Sequence, residues 1–458
     1  MKNKLLLLTA VAILSAYACN RKPKTTDEPE EKCTVQHQDW TRSAVIYEVN
    51  IRQYTKEGTF AAFETHLPRL KDLGVDILSL MPVNPIAEKD KNGMLGSYYA
   101  VGNYNEVNPA FGSKDDFKKL VGKAHEMGFK VMLQWNASST GKGHVWMTEH
   151  PDWYQKGSSG NVQESKDRDS LSKLDYSNQE LQAAMTEVMK YWLTEFNLDG
   201  FFCNEAHEVP VSYWNVLRKE LESVKPVFMA AGSGDNTLLS NAFDANYSID
   251  LSQLLENMNK GKSNAEDITA YIHRLDTMII DTMLCLDAYK INYLTNGVQN
   301  AFSGTEYDRY GKMTELFAVL TYTLNGMPML YTGQEVGMKK KLSFYDKDMV
   351  PSWKENATTK FYKKLNELKR THPSLRAGQM GGTIRKYSAT DGDKLLIFSR
   401  ERAGKELMVM LNFSNKSITY SSNDALSRNN YTDFFSGKKI GMLPKTLKPY
   451  EYRVLTRE

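Results

Sequence analysis

The stretch Leu198-Asp199-Gly200-Phe201-Phe202-Cys203-Asn204-Glu205-Ala206 decides how this chain is read. Its apolar centre is short and ends at the polar pair Asn204 and Glu205, which predicts a strand buried on both faces, as in a parallel sheet. Runs of the same kind recur at 44–50, 75–81, 130–135, 227–231, 247–251, 291–295 and 327–332. Between the strands, 60–73, 115–127, 179–196, 211–224, 268–283, 312–324 and 359–370 carry apolar residues at helical spacing, and a short helix is expected at 238–243. Eight strand and helix pairs are the count of a TIM (β/α)8 barrel. A doubly wound open sheet fits less well, because no glycine-rich phosphate turn follows the first strand.

Working outward, residues 136–176 are polar and rich in Gly, Ser and Asp, and they interrupt the alternation after the third strand. They are expected to form an inserted subdomain or extended loop, with the barrel occupying 41–135 and 177–372. Beyond Pro373 the pattern changes to β-branched and aromatic runs separated by turns such as Asp391-Gly392 and Ser436-Gly437. Residues 377–458 are therefore expected to be an antiparallel β-sandwich.

The chain has 458 residues, of which 41% are hydrophobic and 25% charged, with a formal net charge of +3. That balance suits a large folded core, and the dispersed basic residues give no footprint for nucleic acid. Lys2 and Lys4, the apolar stretch 5–14 and Ala16-Tyr17-Ala18 before Cys19 have the form of an export signal, residues 1–18. Two cleavages fit the same bond. One leaves Cys19 a free terminal thiol; the other, which we favour, makes it a lipid anchor followed by a polar tether over 19–40, because an exposed unpaired thiol is a liability outside the cytosol. The expected place is thus the cell envelope, on the membrane through that anchor. Cys33, Cys203 and Cys285 form no ligand spacing, and the eight histidines form no H-x-x-x-H pair, so no metal or other cofactor is expected.

Several segments, in order, resemble the α-amylase family, glycoside hydrolase family 13. Gly96-Ser97-Tyr98-Tyr99-Ala100-Val101 with Pro109-Ala110-Phe111-Gly112-Ser113 looks like that family's segment between strand two and helix two. Glu149-His150-Pro151-Asp152-Trp153-Tyr154 resembles its insertion, and Asn325-Gly326-Met327-Pro328 with Tyr331-Thr332-Gly333-Gln334-Glu335 its eighth strand and loop. The resemblance implies a chemistry that this chain then lacks. Where the family's strand four reads G-x-R-x-D, with the aspartate as nucleophile, this chain has Gly200-Phe201-Phe202-Cys203-Asn204. Where strand five ends in the acid, it has Gly232. Where strand seven supplies N-H-D, it has Asn296-Gly297-Val298, and the strand-three pattern D-x-x-x-N-H becomes Gln134-Trp135-Asn136-Ala137-Ser138-Ser139.

An amide cannot capture an anomeric carbon as a carboxylate does, and glycine has no proton to give the leaving oxygen. With Asn204, Gly232 and Val298 in place of the triad, no catalytic residue is intact and the chain is expected to be inactive. The carboxylates near the expected rim that might substitute are Glu205, Glu208, Asp235 and Glu306; of these, Glu205 is expected to point to the face opposite Asn204, Asp235 to reach back only through a loop, and Glu306 to sit in the loop Gly304-Thr305-Glu306. What remains is a site for a neutral α-glucan or oligosaccharide, with Tyr99, Phe202 and Phe302 offering rings and Asn204, Asn296 and Gln299 amides. Trp146 and His144 are expected near the same mouth. Rings that merely plug the cleft are an equal alternative. Two other classes stay open: a protein-binding scaffold with an envelope partner, as the resemblance to amino-acid transporter heavy chains suggests, and an active α-glycosidase with relocated carboxylates.

Overall fold

The computed structural model describes residues 35–165, 171–280, 287–421 and 430–458. The leader, Cys19, Cys33 and Cys285 lie outside the described residues. The sequence first folds into eight parallel strands: β1 (Ile46–Val49), β2 (Ile77–Leu80), β3 (Lys130–Asn136), β4 (Gly200–Asn204), β5 (Phe228–Gly232), β6 (Ala245–Tyr247), β7 (Tyr289–Tyr293) and β8 (Met327–Tyr331). Each pairs with the next, and β8 pairs back to β1, which closes a barrel. This is the TIM barrel expected from the alternation.

Strand side chains alternate between two cores. On β4, Phe202 points inward with Ile46, Ile77, Met132, Phe228 and Ile291, filling the barrel, while Phe201 and Cys203 point out against the helices. Burying each such side chain stabilises the fold by about 1.5–3 kcal/mol. Gly200 fixes how closely β4 and β5 approach: a Cβ there would lie 1.9 Å from the Phe228 carbonyl oxygen. That contact sets the register in which Asn204 stands opposite Gly232 on one side and Asn136 on the other.

Three boundaries differ from the sequence reading. The sixth strand is Ala245–Tyr247, and residues 249–251, read as part of it, open a helix, Ile249–Asn259. Its apolar residues sit at helical spacing, but the run before them was short and β-like, so period alone placed the boundary wrongly. The expected helix over 60–73 is two helices, Phe60–Glu64 and Leu67–Leu73, because Pro68 starts the second. Residues 36–40, read as the end of a tether, close the bottom of the barrel: His37 Nδ1 lies 2.8 Å from Asp244 Oδ1, and Trp40 packs on Phe228.

Within 136–176, a ribbon of Ser139–Thr140 with Ser172–Lys173 and the helix Val145–Glu149 form a small excursion. The C-terminal part is an antiparallel β domain. Strands β9 (Thr383–Tyr387), β10 (Leu395–Arg402), β11 (Lys405–Asn412), β12 (Ile418–Thr419), β13 (Tyr431–Asp433), β14 (Lys439–Ile440), β15 (Thr446–Leu447) and β16 (Tyr452–Arg457) follow in order. Six of them form one sheet, ordered β9-β10-β11-β16-β13-β14. The second layer of the expected sandwich is only the ribbon β12–β15, whose Ile418 and Leu447 cover Ile397, Met408 and Leu455. The other face of the sheet joins the barrel's outer core through Phe398, Val409 and Val454. Among the described residues, no helix is long and apolar enough to cross a membrane.

Candidate functional site

The C-terminal ends of the strands open into a cavity of about 410 Å³, within the range of small-molecule sites. Its floor is strand-borne: Glu48 from β1, Asn136 from β3, Asn204 from β4 and Gly232 from β5. Tyr247 and Tyr293, the inward residues at the ends of β6 and β7, form one group of rings, with centroids 4.5 Å apart. Tyr99, Phe302 and Phe344 form another; the Phe302 and Phe344 centroids are 5.0 Å apart and those of Tyr99 and Phe344 6.1 Å. The helix Gly297–Ser303, capped by Asn296 Oδ1 accepting from the Gln299 N–H at 2.8 Å, brings Val298 and Gln299 to the wall.

Five of the six expected binding residues therefore meet at one cavity: Tyr99, Asn204, Asn296, Gln299 and Phe302. Phe202 does not. It is fully buried one layer below, its ring 5.0 Å from that of Tyr247, so it neither touches a ligand nor plugs the mouth. Trp146 and His144 are likewise absent from the lining; His144 is buried beside Tyr104 and Trp146, and burial lowers its pKa to about 3.

Glu205 corrects the strand argument. Alternation placed it opposite Asn204, but β4 ends at Asn204, and Glu205 takes the left-handed conformation, φ 47°, which turns its side chain back into the cavity. The other substitutes are elsewhere. Glu208 pairs with Lys173 at 2.7 Å, Asp235 Oδ1 accepts from the Thr237 N–H, and Glu306 is buried outside the lining, where desolvation raises its pKa to about 8.

Glu48 was missed, although a lone charge inside the otherwise apolar run 44–50 was its signal. It is 2% exposed. Gln134 Nε2 donates to Oε1 at 2.8 Å and the Gly297 N–H to Oε2 at 3.1 Å, but desolvation dominates and raises its pKa to about 7. Tyr99 joins this network by donating from its hydroxyl to Gln134 Oε1 at 3.1 Å. Two buried polar atoms of the wall, Asn204 Nδ2 and Gln299 Oε1, have no hydrogen-bond partner among the described residues. One donor and one acceptor are thus left for whatever enters.

The β5 rung carries the sharpest steric fact. A Cβ on Gly232 would lie 3.1 Å from Phe202 Cε1 and 3.1 Å from Asn204 Cα. A longer side chain there requires the Phe202 ring to move. Among the described residues, no group of three or more His, Cys, Asp or Glu could hold a metal ion.

Residues 34–170 match the family model described as alpha amylase, catalytic domain. The chain is 26% identical to a crystallised alpha-amylase from Lactobacillus plantarum, with a TM-score of 0.81 over 92% of this chain and all of that one. In sequence and in fold this chain is similar to the α-amylase family. It is also 21% identical over 440 residues to Alpha-amylase 2 of Dictyoglomus thermophilum, covering 87% of this chain and 73% of the relative. An alpha-1,4-glucan:maltose-1-phosphate maltosyltransferase of Rhodospirillum rubrum is 31% identical over 214 residues, but the match spans only 41% of this chain and 31% of that protein.

Proposed function

We propose that this chain binds an α-glucan or related oligosaccharide without cleaving it, and does so at the cell envelope, exported and anchored through Cys19. Its relatives carry the names of hydrolases and transferases of α-1,4-glucans and maltose units, which supports the ligand class. The single observation that carries the loss of catalysis is the β5 rung: Gly232 offers no acid, and Phe202 stands against a side chain there. Asn204, on the adjacent rung, offers an amide donor where a retaining mechanism needs a carboxylate. The two aromatic groups suit the C–H faces of sugar rings, and the unpartnered atoms of Asn204 and Gln299 suit hydroxyls.

Calorimetry with maltooligosaccharides tests binding, with Tyr99→Ala as the control that should abolish it. Reducing-end release from starch tests inactivity. A second reading rests on Glu205, a carboxylate that reaches the cavity after all. If starch is cleaved and Glu205→Gln stops the cleavage, the relocated-carboxylate enzyme is correct and the binding-only reading falls. For the envelope placement, metabolic labelling with a fatty acid should mark the wild type and not Cys19→Ala.

A further inference from the structure

A second cavity, of about 440 Å³, lies at the bottom of the barrel, on the face opposite the mouth. The loops that lead into β3, β4 and β5 frame it, together with Gln38 from the segment that closes the barrel. Its side-chain acceptors are engaged. Asp199, the one carboxylate of the lining, meets His125 Nε2 at 2.7 Å and accepts from Lys130 Nζ at 2.8 Å and from the Val131 N–H at 2.9 Å. Gln38 Oε1 accepts from Trp40 Nε1 at 2.8 Å, and Asn197 Oδ1 from Lys225 Nζ at 2.6 Å. Each amide thus has its oxygen occupied and its NH2 group left to donate.

Donors are in excess there. Lys225 has no carboxylate partner among the described residues, and neither has Lys71, whose ammonium reaches the rim: a Cβ on Gly128, which lines the cavity, would lie 3.2 Å from Lys71 Nζ. Three ammoniums therefore stand around one carboxylate. Helix ends explain part of this, since a C-terminal dipole favours a cation. Lys71 and His125 sit in the last turns of Leu67–Leu73 and Lys114–Glu126. Lys130 opens β3 and Lys225 lies past the end of the helix Val211–Glu222, so neither is placed by a last turn. Burial holds the Lys225 ammonium below the usual lysine range; the charge of Lys130 adds to that and Asp199 opposes it.

We propose that this cavity holds a phosphate monoester, its oxygens taking the ammoniums of Lys71, Lys130 and Lys225 and the amide N–H groups of Gln38 and Asn197. Such a group carries a charge of about −1.5 to −2 at neutral pH, which matches the excess of the ammoniums over Asp199. The volume leaves room for the small molecule or headgroup that bears the phosphate. This site goes beyond the glucan reading and does not depend on it, because the two cavities share no lining residue.

The test uses the chain with Cys19→Ser, so that no acyl chain confounds it, at about 0.15 M salt, where long-range attraction is screened and direct contacts persist. Phosphorus NMR with glycerol 3-phosphate reads a soluble ester; its choline diester is the control. Sedimentation with phosphatidylcholine vesicles, with and without phosphatidic acid, reads a headgroup. The monoester should bind more tightly than the diester in whichever form is taken up. Lys225→Gln and Lys71→Gln should each weaken that binding about tenfold, the share of one charge-assisted hydrogen bond. Both variants should keep the urea midpoint of the parent, since neither lysine makes an ion pair in the fold. Binding of glycerol 3-phosphate supports the site with a soluble ligand, and binding of phosphatidic acid vesicles alone supports it with a membrane one. Binding of neither, or binding that both lysine variants leave unchanged, overturns it.

Discussion

Tyr47 and Glu48 are consecutive on β1, and the strand sends them to opposite faces. Outside the barrel, the Tyr47 hydroxyl donates at 2.8 Å to Glu335 Oε1, and Arg69 Nη1 meets the same oxygen at 2.7 Å. Arg69 in turn lies 4.3 Å from the centre of the Trp353 ring. Inside, Glu48 is as buried as Glu335 but has only amide donors around it. One carboxyl has a cation and closes a seam between helices and strands. The other has none among the described residues and faces a cavity. The difference teaches that burial alone does not single out a candidate carboxyl; burial at a cavity, without a counter-charge among the described residues, does.

The largest test of that contrast removes the cation. Arg69→Met should cost about 3–5 kcal/mol in urea unfolding, because it strands Glu335 in the interior; a loss below about 1 kcal/mol would show that the seam is not held by charge. On the cavity side the test is pH. The Glu48 carboxyl rises from 4.5 to about 7 on folding, so the folded state holds the extra proton between those values. Its contribution to stability is therefore lost as pH rises from about 4.5, and the penalty is complete above about 7, roughly 3 kcal/mol in all. Glu48→Gln should flatten that part of the stability curve, and an unchanged curve would place the titration elsewhere.

Smaller effects probe the rung between the two regions. Gly232→Glu should destabilise by about 1–3 kcal/mol through crowding against Phe202. Combined with Phe202→Ala, it should cost less than the sum of the two single changes by at least about 0.5 kcal/mol, and strict additivity would deny the contact. Least of all, Tyr99→Phe should lose about 0.5–1.5 kcal/mol, the share of its hydrogen bond to Gln134, by the same unfolding assay.

The barrel was legible because its strands are apolar on both faces and its helices keep their period. Tyr99, Asn204, Asn296, Gln299 and Phe302 meet at one cavity because strand ends and the loops after them converge on one face. The misses have local causes. Phe202 was expected near the mouth as a ring in place of the family's strand-four arginine, yet a two-residue step back from Asn204 along the strand is also a step in depth, one layer below the floor. Glu205 was assigned to the wrong face because alternation was carried one residue past the strand's end, into a left-handed turn that no period predicts. Glu48, Tyr247 and Tyr293 were hidden in runs read only as core. Inward residues of a barrel change from packing to lining within one rung, and a sequence does not mark that level.

The Phe202 ring also bears on how the chain can change over generations. A glutamate arising alone at position 232 meets that ring and costs stability before it can add chemistry. The reverse order is open: a smaller residue at 202 first, then a side chain at 232. Phe202 thus weights the order of change: toward the family's strand pattern, a step at position 202 before one at position 232 is the less costly route.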